Sequence, residues 1–236
     1  MKAWLEGHTL DLEDLASLLP SSDVRVVREG DGFHLSAAEM DNPPSGKTFH
    51  EVAERLLVRA NGVGRLMRPD FTPVALTGRY DQEGNVHVVL EPATLVFRAH
   101  VGTVTVLDSN GNPVPSPDPC GPAYIALAAQ NSDVADALEI MGRPQSLNFA
   151  ELYKVYEIIE HSGHMKIAMT SAGIGKPAAR LFARTANHPE ASGEAARHAR
   201  STQQPPSKPM TLSEARGMIC SLVTAWMADI NSRRER

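Results

Sequence analysis

Five prolines fall within ten residues (Pro113, Pro115, Pro117, Pro119 and Pro122), and no other feature constrains the fold of this chain as strongly. Each proline fixes φ, removes a backbone N–H donor and restricts the residue before it. This density excludes helix and central strand, and leaves a semi-rigid extended spacer. The chain changes character across the run. Before it, β-branched segments alternate with glycine-containing turns; after it, apolar residues recur at helical spacing and no convincing strand follows. The expected organisation is an α+β domain over residues 1–111, a proline-rich linker at 112–122 and an all-helical domain over 123–236.

Within the first part, residues 10–19 read as a short helix with Asp11 as N-cap and Pro20 as the stop. Residues 24–28 and 33–37 flank a Gly-rich turn and predict a β-hairpin. Thr48 and Glu51 have capping-box spacing, and Phe49, Val52, Ala53, Leu56, Leu57 and Ala60 follow as one apolar stripe. That long helix is expected to end at Gly62, Gly64 and Pro69, with Arg55, Arg59, Arg65 and Arg68 as a solvated flank. Residues 74–80 and 86–90 predict a second hairpin, and the Val- and Thr-rich residues 94–100 and 102–107 two more strands. The sheet is expected to be largely antiparallel, packed on the one long helix.

Beyond the spacer, helices are predicted at residues 123–130, 132–141, 149–161 and 176–185. Asn148 is placed to cap the third, with Glu151 supporting it. Residues 186–209 are small and polar, with a short helix expected around 194–200. Thr211 and Glu214 form a second capping box ahead of the stripe Leu212, Ala215, Ile219, Leu222, Trp226 and Ile230.

Composition narrows the function classes. A hydrophobic fraction of 42% with 22% charged residues argues against global disorder. No apolar run approaches the roughly 20 residues needed to span a bilayer, and the first residues lack the apolar stretch of a signal peptide. A soluble cytoplasmic protein without a membrane partner is therefore expected. Cys120 and Cys220 fit no metal or redox spacing and read as free structural thiols. The net charge of −5 is uneven: residues 172–236 carry ten basic and five acidic side chains, leaving −10 for the first 171. A basic tail on an acidic body suits an anionic partner, or equally its own acidic body.

Few residue patterns carry chemistry. His161 and His164 lie three apart without the third and fourth ligands zinc needs, so no metal is expected. Gly173-Ile-Gly175-Lys176 lacks P-loop spacing and has Pro177 where that loop has Ser or Thr; a helix connection explains it, and no cofactor is expected. Residues 133–157 have the rhythm of a helix-turn-helix, but the second helix is acidic, which suits two packed helices better than phosphate contact. The densest polar group is Arg180, Arg184, Asn187, His188, Arg197 and His198, because guanidinium forks grip carboxylate or phosphate bidentately. The same residues would serve equally to tie helices together.

Leu152-Tyr-Lys-Val-Tyr-Glu157, Phe182-x-Arg-Thr-Ala-Asn187, Glu194-Ala-Ala-Arg-His198 and Pro209-Met-x-Leu-x-Glu-Ala215 resemble segments of an uncharacterised bacterial family without assigned activity. The similarity covers about residues 147–228; it implies a bacterial protein and supplies no catalytic residue. The expected function is non-enzymatic binding or regulation, through a basic Arg/His surface offered to a protein partner, a second copy or nucleic acid. The alternative is an enzyme on an anionic substrate, with Arg184 and Arg197 as anchors and His188 or His198 as general acid or base.

Overall fold

The computed structural model describes residues 1–21, 23–68, 70–82, 85–89, 120–197 and 204–234. The predicted strands at 94–100 and 102–107 and the spacer residues 112–119 lie outside the described residues, whereas Gly121 and Pro122 open a helix. The chain runs through β1 (Lys2–Glu6), α1 (Thr9–Leu18), β2 (Val24–Glu29), β3 (Gly32–Ala37), α2 (Ala38–Asp41), α3 (Phe49–Met67), β4 (Ala75–Gln82) and β5 (Asn85–Val88). It continues through α4 (Gly121–Ala128), α5 (Ser132–Met141), α6 (Phe149–His161), α7 (Met165–Ser171), α8 (Lys176–Asn187), α9 (Pro189–Ser192) and α10 (Leu212–Arg234).

The five described strands form one antiparallel sheet in the order β2-β3-β1-β4-β5, followed by helices, so the α+β class holds. Its central strand, β1, was not expected. Lys2-Ala-Trp-Leu-Glu6 has only Ala3 and Leu5 to turn inward, too short an alternation to stand out beside a Trp. Ala3, Leu5, Val24, Val26, Phe33 and Leu35 are buried on the helix side. There α3 covers them with Val52, Ala53, Leu56, Leu57, Ala60 and Val63. The capping box at its start is formed: Thr48 Oγ1 accepts from Glu51 N at 3.2 Å, and Glu51 Oε2 accepts from Thr48 N at 2.7 Å.

Three expectations are corrected. α3 does not stop at its glycines but runs through Gly62 and Gly64 to Met67. A side chain on Gly62 would strike the Leu138 carbonyl of α5, and one on Gly64 the Phe71 ring, so both glycines permit close approach rather than ending the helix. The arginines on and just after α3 are not a free flank: Arg55 pairs with Glu39 at 2.5 Å, Arg59 with Glu139 at 2.7 Å and Arg68 with Asp14 at 3.1 Å. Finally, His8 rather than Asp11 caps α1, its Nδ1 accepting from Leu10 N at 3.3 Å. Asp11 is buried and accepts from Thr72 N at 3.0 Å, which holds the loop before β4.

α3 packs against α5 on its far side, and the buried apolar residues form one cluster from the sheet through α3 into α4, α5, α6 and α10. The boundaries of α5 and α6 match the sequence reading, and Asn148 with Glu151 forms the expected cap of α6. Thr211 and Glu214 form theirs ahead of α10. α7 was missed, and the predicted helix at 194–200 is only a 3-10 turn over Gly193–Ala195, with 198–200 outside the described residues.

The outer sheet face holds a titratable group in an unusual setting. His34 is buried against Trp4, with its Nδ1 unpartnered and its Nε2 3.1 Å from Glu29. Burial pushes its pKa below the ordinary 6.5, with Lys2 acting the same way and Glu29 opposing. The unfolded chain then takes up a proton at a pH where the folded chain refuses it. Stability from this site is present above the unfolded pKa of about 6.5 and is lost as pH falls below it. The melting temperature of His34→Gln is expected to fall less than that of the parent between about pH 7 and pH 5. Parallel slopes in differential scanning calorimetry would refute the assignment.

Candidate functional site

α8 carries most of the predicted cluster. Gly173 ends α7 at φ +66°, with Ile174 N bonding back to Met169 O at 2.8 Å, so the glycine segment is a helix connection. Pro177 sits in the first turn of α8. Ala179, Phe182, Thr185 and Ala186 face inward, and Phe182 stacks on Tyr153 of α6 at 6.0 Å between centroids. This rotation leaves Lys176, Arg180 and Arg184 exposed, four residues apart. Arg184 Nη2 donates to Gln204 O at 3.2 Å.

The remaining predicted residues do not join that row. His188 is 4% exposed, and its Nδ1 accepts from Glu190 N at 3.2 Å to cap α9. Asn187 is half-buried, with its Oδ1 enclosed and unpartnered. Arg197 pairs with Glu157 at 2.7 Å and lies over the Tyr153 ring at 4.6 Å, tying the 3-10 turn to α6. His198 lies outside the described residues. The five described residues of the predicted six thus divide into an outward pair, an inward pair and a tie.

The other histidines also separate. His164 Nδ1 meets Asp229 Oδ2 at 2.7 Å, a bond that with Arg233 holds the Asp229 carboxyl below its usual range. His161 Nδ1 faces Glu157 O at 2.9 Å. Among the described residues, no three His, Cys, Asp or Glu side chains are grouped closely enough to hold a metal ion. Burial raises the Cys220 thiol to about 11 against the pull of Arg65 and Arg216, so it is not a thiolate nucleophile at neutral pH. Cys120 donates to Met67 Sδ at 3.3 Å. Among the described residues no helix is long and apolar enough to cross a membrane.

A second feature escaped the sequence reading. Ser213, Arg216, Gly217 and Cys220 form one face of α10 and wall a cleft of about 740 Å³. Its other walls come from the start of α1, the end of α3, the loop before β4 and the α5–α6 loop. Arg216 donates from Nε and Nη2 to Leu147 O at 3.1 and 2.7 Å. Arg65 donates to Met141 O at 2.8 Å and Gln145 O at 3.1 Å, near the carbonyl end of α5. The only trace of this site in the sequence is the i, i+3, i+4, i+7 spacing of the α10 residues opposite the apolar stripe.

Comparison of the chain with protein-family models, curated proteins and solved structures finds no match. The resemblance over residues 147–228 therefore brings no family assignment with it.

Proposed function

We propose that this is a non-enzymatic binding protein that presents the basic face of α8 to an acidic protein surface. One observation carries the reading: Lys176, Arg180 and Arg184 form an exposed row, and no ion pair joins any of them to a carboxylate among the described residues. Like charges four residues apart on a helix repel by a few tenths of a kcal/mol per pair. Lys176 also stands at the positive end of the helix dipole, where a cation is unfavourable. An acidic partner relieves all three strains together. A protein surface suits better than a nucleic-acid duplex, since the row holds only three cations. Three cations alone release too few counterions for tight binding to a duplex.

The test is fluorescence anisotropy of a labelled hexaglutamate peptide, with a labelled DNA duplex beside it. The peptide is expected to bind at low salt, weaken as salt is added, and be lost from a variant carrying Lys176→Glu and Arg180→Glu. Duplex binding without peptide binding would overturn the choice of partner. Failure to bind either would overturn the reading itself.

A further inference from the structure

We infer that the cleft between α3, α10 and the α5–α6 loop binds a small organic anion with one carboxylate or phosphate head on an apolar body. Its volume of about 740 Å³ suits such a molecule. Two guanidiniums converge on it from elements distant in sequence, and backbone carbonyls hold both in place. Arg216 spends two of its five N–H groups on Leu147 O, and the other three have no partner among the described residues. A guanidinium fixed in orientation and still able to donate is built to receive an oxyanion, because little side-chain entropy remains to be lost on binding.

Gly217 supplies an independent argument. Glycine is the least favourable residue in a helix interior after proline, and here it sits within the 23-residue α10. Close packing does not require it, for a Cβ at this position meets nothing within 4 Å. The open space lies on the cleft wall beside Arg216. In α3, by contrast, the place of the missing side chain is taken by protein, the Leu138 carbonyl at Gly62 and the Phe71 ring at Gly64. Gly217 is exposed on the cleft wall, and no described residue takes up the space in front of it.

The remaining walls set the ligand class. Leu66, Pro73 and Pro144 offer apolar surface to a hydrocarbon or aromatic body. Asp11 and Asp70 share the cleft and disfavour a polyphosphate, which limits the head to one anionic group. The site uses none of the α8 residues and stands or falls separately from the basic row.

The experiment is a two-dimensional amide NMR titration of the full chain with phenylacetate, phenyl phosphate, inorganic phosphate and 2-phenylethanol. At least one of the two aromatic anions is expected to produce saturable shifts at residues 147, 216 and 217, and which one does so identifies the head. Inorganic phosphate and the uncharged alcohol are each expected to bind about tenfold more weakly or worse, having lost the body or the charge. Arg216→Gln is expected to weaken binding by about tenfold or more. Gly217→Leu is expected to abolish it while leaving the melting temperature equal or higher, which separates a filled site from a damaged fold. Three results would each overturn the inference: no saturable shift with either aromatic anion, equal binding of the alcohol, or unchanged binding in a folded Gly217→Leu protein.

Discussion

Gly142→Ala is expected to lower the melting temperature by about 6–12 °C, from a loss of about 3 kcal/mol. Gly142 follows α5, and a methyl group there would lie far inside contact distance of the Val58 carbonyl oxygen of α3, and 2.8 Å from Gly62 N. Both atoms are helical backbone, so no side-chain rotamer change can relieve the clash, and α3 and α5 must part. Gly62→Ala meets Leu138 O from the other side and should behave alike. Gly217→Ala is the control. It replaces a helical glycine where nothing is displaced, so it should stabilise by about 0.5–1 kcal/mol. Calorimetry of the three variants checks the set; equal effects at positions 142 and 217 would contradict the packing described.

Asn61→Ala is expected to destabilise by about 3 kcal/mol, although it removes only a small amide. Asn61 is 2% exposed on α3, and its amide mimics a strand neighbour: Nδ2 donates to Val74 O at 2.9 Å and Oδ1 accepts from Val74 N at 3.1 Å. Alanine leaves both backbone groups buried and unpaired, and desolvation of each costs about 1–3 kcal/mol. The Val74 amide should also exchange with solvent much faster, which hydrogen-exchange NMR reads directly. An Asn61→Ala protein with parental stability and an unchanged Val74 amide would show that the clamp is not made in solution. The clamp also bears on the cleft, because residues 71–73 line it.

What the sequence made legible was local. The capping boxes at Thr48, Asn148 and Thr211 all form, because a cap is a contact among residues three apart. The glycines of α3 were misread for the opposite reason. The same residue type ends a helix or lets a second helix touch it, and only the distant partner decides which. On α8 the helix was found but not its rotation. Phe182 had to reach Tyr153 and Tyr156, and this turned Arg180 and Arg184 outward while His188 was buried beyond the end of the helix. The cleft was hidden more completely, since its walls are drawn from the start of α1, the end of α3, the loop before β4, the α5–α6 loop and α10. No window of sequence contains it.

The meeting of α3 with α5 has a mechanical meaning for that cleft. Side chains between two helices act as a cushion, which can repack and let the spacing drift. Where Gly62 and Gly142 bring main chain against main chain, no cushion exists, and the spacing is set by atoms that have no alternative positions. Arg65 stands one helical turn beyond Gly62, and the carbonyl that anchors it belongs to Met141, the residue before Gly142. The Arg65 wall of the cleft is therefore hung from a rigid joint. That wall is placed by backbone packing alone, so a molecule entering the cleft would have to suit it rather than reshape it.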